Sequence, residues 1–381
     1  MRYTQYLIFA VVTLLLTACS GGFFDKDNTQ PPAPLTSFTP EMKPQHLWST
    51  KTGSGTGDEY LKMTPALNAA AIFTTSPRGM ITAINKQNGH MIWQMHTGFS
   101  LSTGPGVGNG IVVAGGRRGD IIALSQLDGR RRWIAHINGE ILAPPAVSER
   151  LVVVKATDGY VRALSTRNGE EIWSYKQLEP SLILRGASQP IIQGGAVIMG
   201  FANGNLSKHQ LNNGDLLWEQ TIATAEGAFA IQRMIDIDAN PLVFEHNIYA
   251  ATYQGKIASL DWAQGNVRWE HDISSYTGMV ADANTVYLSD ATSHLWAFNA
   301  RTGQIQWRQN QLDARIITAP ATTSRAIVVA DAQGYVHLLR KSDGRIIGRI
   351  SLGTAIYATP LVENDILYVF TSHGAIAAYQ L

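Results

Sequence analysis

The chain has 381 residues, with 30 Lys plus Arg against 29 Asp plus Glu, 15% charged and 45% hydrophobic residues, and a single cysteine. That near-neutral balance offers no basic field for nucleic acid, and one cysteine excludes an intramolecular disulfide or a thiolate zinc site. The apolar content supports a large core, in two or three domains or one repeat array, and excludes disorder, collagen and a multi-span membrane protein.

Residues 1–18 read as a secretory leader. Arg2 precedes an apolar run, Leu7 to Leu16, that is too short to span a bilayer. The lone Cys19 follows Leu16-Thr17-Ala18, and this LTAC string resembles the lipobox of bacterial lipoproteins, in which the Cys is lipidated and becomes the new N-terminus. The competing reading is an ordinary signal with a chance cysteine. Loss of residues 1–18 removes Arg2 and leaves 29 basic against 29 acidic residues. Ser20, rather than Asp, follows the cysteine; by the same resemblance this implies the outer membrane. Residues 19–44, with Pro31, Pro32, Pro34, Pro40 and Pro44, read as a lipidated cysteine and an extended, semi-rigid tether with too few apolar groups to pack.

From residue 45 to 381 one pattern repeats. GMITAINKQNGHMIW (79–93), GDIIALSQLDGRRRW (119–133), GYVRALSTRNGEEIW (159–173) and GNLSKHQLNNGDLLW (204–218) share a Gly, a second Gly ten residues on, and a Trp four further. The register continues at 255–269 and 293–307, and at 334–348 Gly348 takes the Trp position. Alternating residues such as Ile81-Thr82-Ala83-Ile84, followed by Asn88-Gly89, predict two strands and a hairpin. Apolar runs such as Ile111-Val112-Val113-Ala114 and short Pro-led segments upstream supply two more. Four strands per 40–50 residues is the span of a β-propeller blade. The chain ends on a third strand, 374–381, while an unmatched fourth strand lies at His46-Leu47-Trp48-Ser49. An all-β, eight-bladed propeller of four-stranded antiparallel blades follows, closed by the N-terminal strand joining the C-terminal blade.

The repeat tryptophans are expected to fill gaps between blades, with the indole N–H bonded to backbone, rather than to stack sugars or bases. Trp262 and Trp296 fall outside the register. The histidines show no metal-ligand spacing, and Arg118-Gly119-Asp120, Arg130-Arg131-Arg132 and GSGTGDE (53–59) are explained by turns and solvated hairpins. No cofactor, metal or catalytic arrangement is expected. The repeat also resembles the tryptophan-docking motif of pyrroloquinoline-quinone (PQQ) dehydrogenases, which are longer and often carry a vicinal cysteine pair. A PQQ-dependent or small-ligand-binding propeller using the central channel is the rival reading, and a surface adhesin a weaker third.

Three departures from the repeat point to a site. The spacing from Trp to the next Gly position is 24–27 residues in most repeats, but 31 after Trp48, 31 after Trp173 and 37 after Trp218. The extra residues fall at the same point of the repeat and therefore on one face of the disc, where binding segments gather. Pro180 to Gly186 forms an apolar knob ending in Arg185, and Ala228 to Asp238 mixes apolar residues with Arg233, Asp236 and Asp238. This composition fits a protein-docking patch with an anchor and a charged rim. The competing reading has the loops packing only on each other. Two alternate carboxylates are weak evidence for calcium.

Together, lipobox, Pro-rich tether, eight PQQ-like repeats and the strings L-x-L-R-G (Leu182 to Gly186) and R-x-x-D-x-D (Arg233 to Asp238) resemble the BamB family, lipoproteins of the outer-membrane β-barrel assembly (BAM) machinery. The resemblance implies a non-enzymatic scaffold, lipid-anchored in the outer membrane and facing the periplasm. Its implied partners are the POTRA domains of BamA, other BAM subunits and, as a further candidate, unfolded outer-membrane protein substrates. It further implies that Leu182 and Leu184 are apolar anchors, Arg185 a charged donor, and Asp236 and Asp238 either the acidic rim or the support for Arg185.

Overall fold

A computed structural model describes residues 29–381 apart from Asp58, Glu179, Ser181 and Arg185; Cys19 and the leader lie outside the described residues. Eight separate four-stranded antiparallel sheets follow one another around a ring. In blade 1 the strands, from the axis outward, are Ala66–Leu67, Ala71–Thr75, Met80–Asn85 and Met91–His96. Blades 2 to 7 repeat this order over 106–136, 146–176, 191–221, 242–271, 278–309 and 321–351. Blade 8 takes three strands from 361–380 and its outermost from Gln45–Lys51, which pairs with Ala375–Gln380. The N-terminal strand thus closes the ring as the strand count requires.

The two middle strands of each blade are buried on both faces, and mostly apolar, because each packs against a blade on either side. Phe73, Ile81 and Ala83 of blade 1, for example, share a core with Val112, Ala114, Ile122 and Leu124 of blade 2. The repeat tryptophan, on the outermost strand, lies against the hairpin glycine of the next blade. A Cβ on Gly129 would stand 2.7 Å from Cε3 of Trp93, and the residue also sits at φ 68°, so Gly is the residue that fits. The indole N–H then donates to the carbonyl three residues before that glycine, at 2.8–2.9 Å in five seams and 3.4 Å from Trp218 to Trp262. At Trp48 the corresponding carbonyl, of Lys86, instead accepts the Tyr368 hydroxyl at 3.3 Å, and the buried Trp48 N–H has no partner among the described residues.

Blade 7 departs from this rule for a reason the structure supplies. The blade after it has no hairpin between its third and fourth strands, because those strands come from opposite ends of the chain. No glycine stands ready for an indole, and the space is filled by the segment that the sequence suggested was a free spacer. Glu41 and Met42 donate their backbone N–H groups to the Ile347 carbonyl at 2.8 and 3.0 Å. Met42 is buried with Leu338 and Ile347, and a Cβ on Gly348 would lie 2.9 Å from the Met42 carbonyl oxygen. The propeller unit accordingly begins at Ala33 rather than at residue 45. Two apolar side chains of the tether dock on the propeller: Met42, and Phe38, which packs against the cluster that includes Leu312 and Ile317 and lies 4.9 Å, at its ring centre, from the Arg349 guanidinium.

A buried charge cluster fixes the other end of this segment. Arg315 pairs with Asp331 at 2.6 Å and donates to the Ala33 carbonyl at 2.8 Å, while Asp331 also bonds His337 at 2.9 Å. Burial pushes the Asp331 carboxyl up, but the bonds from His337, the Tyr335 N–H and Arg315 outweigh it and hold the group below its ordinary value. Burial, more strongly than Asp331 opposes it, holds the His337 imidazole below its ordinary value.

Two predictions follow from these contacts. Gly348→Trp, which restores the repeat residue, destabilises the protein by displacing Met42, and Met42→Ala costs about 2 kcal/mol in urea unfolding; a neutral Gly348→Trp would show that the tether does not occupy the slot. On acidification below about pH 6.5, the unfolded chain takes up a proton at residue 337 that the native imidazole refuses, so stability falls. The lowered Asp331 acts in the same direction at lower pH. Urea midpoints at pH 8 and 5.5 should differ less in His337→Gln than in the parent.

Candidate docking face and central channel

The connections from each outermost strand to the next blade's innermost strand emerge on one face. Those of 177–190 and 222–241, flanking blade 4, are tied to each other. The Leu184 backbone N–H donates to the Asp236 carboxylate, and the Gln189 N–H donates to Asn240 Oδ1 at 2.8 Å. The Asp238 carboxylate lies against Gly186, where an added Cβ would stand 2.8 Å from Oδ2. Backbone bonds from Ile237 to Phe201 (3.1 Å) and from Tyr253 to Asp236 (2.9 Å) hold the second loop to blades 4 and 5.

The residues expected to form the site separate into two groups. Leu182 and Arg233 are exposed; Leu184 is half-buried and Arg185 lies outside the described residues. Asp236 and Asp238 are 1% and 7% exposed, so both are buried in the unpartnered chain. The Asp236 carboxylate turns inward because a backbone N–H group at the loop crossing, that of Leu184, needs an acceptor away from water. The loops do pack on each other, through these buried groups, and present other residues outward. Phe229 and Ile231, outside the candidate set, are 68% and 62% exposed, on or beside the short 3-10 turn Ala230–Arg233. The signal was present in the sequence as two large apolar residues in a segment with no strand alternation.

The 51–62 insertion has a different destination. A cavity of ≈ 960 Å³ runs along the ring axis, touched by Ala66, Val107, Met279 and Leu361 of four blades and by Pro144 and Pro320 just ahead of two others, and the insertion delivers Tyr60 and Lys62 into its lining. Tyr60 packs edge-on against Tyr357 and Tyr276, at 5.1 and 6.4 Å between ring centres. Lys62 donates to the Tyr276 carbonyl and lies 5.4 Å from its ring centre; desolvation lowers its pKa, with Asp238 opposing. Burial, together with Tyr276 and Asp238, raises the Tyr60 phenol. Leu184, Gly186 and Asp238 also line the cavity, so loops and channel share a wall. Among the described residues no three His, Cys, Asp or Glu side chains gather as metal ligands.

The two off-register tryptophans have structural roles. Trp296 donates to Asp290 at 2.8 Å under the Arg308 guanidinium, and the Trp262 ring lies 3.9 Å from the Lys208 ammonium.

Comparison with known proteins places this architecture in a family. The family model described as outer membrane protein assembly factor BamB matches residues 77–309 and 291–381. The chain belongs to the BamB family of outer membrane protein assembly factors. The BamB of Legionella pneumophila (strain Paris) is 41% identical over 371 residues, covering 97% of each chain. That of Pseudomonas aeruginosa is 42% identical, covering 98% of each. The crystal structure of BamB from Moraxella catarrhalis superposes with a TM-score of 0.82 at 27% identity, over 89% of this chain and 100% of that one. A europium-containing methanol dehydrogenase, with a TM-score of 0.74 at 12% identity over 89% of this chain and 93% of that one, shares the fold alone.

Asp236→Ala leaves the Leu184 N–H without its acceptor and frees the 177–190 connection. Limited proteolysis should then cut within 177–190 faster than in the parent, with the blades uncut; an unchanged rate would show that Asp236 does not hold the loop.

Proposed function

We propose that this BamB family member is a lipid-anchored, non-enzymatic scaffold that docks the periplasmic POTRA domains of BamA and so assists insertion of outer-membrane proteins. The observation that carries the reading is the pair of mutually locked loops flanking blade 4. They spend their buried polar groups on each other and turn Leu182, Phe229, Ile231 and Arg233 outward. Exposed apolar anchors on a pre-formed backbone lose little entropy on binding, which suits a hot-spot surface. Leu182 is the anchor from the first loop, Leu184 its half-buried support, Arg185 and Arg233 the charged donors, and Asp236 and Asp238 the internal brace. Lipidation of Cys19 would hold the protein at the outer membrane, facing the periplasm, beside the other BAM subunits.

The test is a titration of a form beginning at Ser20 with the periplasmic domains of BamA from the same organism. Leu182→Asp combined with Ile231→Asp should weaken binding at least about tenfold, since each replaces a buried apolar contact by a charge, with an unchanged melting curve. Binding that survives the double variant would move the site elsewhere. Absence of binding by the parent would overturn the reading and direct attention to the channel, where PQQ with calcium would raise the melting temperature if a cofactor were housed there.

A further inference from the structure

The side chains that hold residues 33–42 against blade 7 also hold one another. Arg349, on the outermost strand Ile346–Ser351, donates from Nη1 to the Thr36 carbonyl at 3.2 Å and lies 4.9 Å from the Phe38 ring centre. Its Nε donates to Nδ1 of His337 at 3.3 Å, and its buried Nη2 has no partner among the described residues. His337, on the neighbouring strand Tyr335–Arg340, is fully buried and meets Asp331 through Nε2 at 2.9 Å.

These two bonds fix the tautomer of the imidazole. A guanidinium only donates and a carboxylate only accepts, so Nε2 carries the hydrogen and Nδ1 offers a lone pair. A second proton can enter only at Nδ1. There it removes the acceptor that Arg349 uses and adds a third positive charge to Arg315 and Arg349, around the single carboxylate of Asp331. Burial first, then the two guanidiniums, keep the proton off against the pull of Asp331. Tyr335 completes the surroundings, its ring centre 6.3 Å from that of the imidazole. Two other titratable groups touch the docked segment elsewhere. Glu41 pairs with Arg340, and His294, bonded to Asp290 and Asp313, stands beside the Asp313 carbonyl that accepts the Ala33 N–H.

We propose that residues 33–42 form a latch worked by one proton: protonation of His337 at Nδ1 releases Arg349, and with it Thr36 and Phe38, while the blades stay folded. The proton comes from water. Arg349 swings outward, taking its unpaired Nη2 into solvent, and the segment leaves the Ile347 carbonyl. Release returns residues 33–44 to the chain ahead of Gln45, adding up to about 40 Å of reach between the N-terminal residues and the propeller. The latched form refuses the proton and the released form accepts it, so latching is complete at higher pH and is lost as pH falls below about 6.5. The inference goes beyond the proposed scaffold and does not depend on it.

Hydrogen exchange of the form beginning at Ser20, corrected for intrinsic rates, reads the latch directly, because the Ala33, Glu41 and Met42 amides donate to the Asp313 and Ile347 carbonyls. Between pH 7.5 and 5.5, protection within 33–42 should fall about tenfold, the limit for one proton whose pKa is ordinary in the released form. The middle strands of the blades should keep theirs. His337→Gln, whose amide can donate to Asp331 and accept from Arg349, should keep the segment protected at both pH values. Arg349→Met cuts the link, so the segment should be less protected at pH 7.5 and insensitive to pH. That variant carries the test if melting shows His337→Gln to be unfolded. Glu41→Gln and His294→Gln should behave as the parent does. Constant protection in the parent, or equal loss in the blades, would overturn the proposal. So would a pH response that survives in folded His337→Gln or in Arg349→Met, or one abolished by Glu41→Gln or His294→Gln.

Discussion

The contact between an indole and a bare glycine, made across seven of the eight blade seams, is the constraint on which the ring depends. Backbone bonding within a blade is satisfied locally, so nothing in the ladders fixes how one blade leans on the next. The indole does this by combining a large apolar area with one directional N–H. The glycine three residues beyond the acceptor leaves room for the ring to lie flat. Because the acceptor belongs to the neighbouring blade, six seams each set the angle of the following blade; Trp48 meets Gly89 without that bond, and the seam between blades 7 and 8 is made by other means.

The eighth seam shows how a splice in chain connectivity is absorbed. Joining the two ends in one blade removes the hairpin that would have received an indole from blade 7. Gly348 at the indole's place and Met42 over it are two halves of one local solution. Half of it was legible in the sequence, since Gly348 broke an otherwise regular repeat. The other half was not. Phe38 and Met42 follow no strand alternation, lie among prolines, and meet partners some 300 residues away in the chain. A polar, proline-rich composition reports poor capacity for a core of its own; it does not report whether a finished surface elsewhere accepts two apolar side chains.

The same distinction separates what was readable at the loops from what was not. Blade number, strand order and the face carrying the insertions follow from counting, because the repeat has a fixed offset. The inward turn of Asp236 and Asp238 does not, because the group that binds Asp236 is a main-chain N–H, which every residue but proline carries. Nor was the destination of the 51–62 insertion readable, since Tyr60, Tyr253, Tyr276 and Tyr357 are gathered at the axis only by the curvature of the ring. The shared wall of loops and channel joins two regions that looked independent along the chain. Leu184 and Asp238 serve both, so a displacement of the first loop alters the channel lining as well.

Closure by the first and last strands also governs when the fold can be complete. Gln45–Lys51 waits for Ala375–Gln380, so seven blades can stack in order behind the growing chain while the ring stays open. The entropy of bringing ends that far apart together is modest, on the order of 5 kcal/mol for an unstructured loop of this length, and smaller once the intervening blades have already curved toward each other. Until then the third strand of blade 8 and the outer strand at residue 45 are both unpaired edges. A chain halted shortly before Ala375 would therefore carry nearly the whole apolar core and no latch, and its vulnerability to aggregation would be concentrated in its final residues.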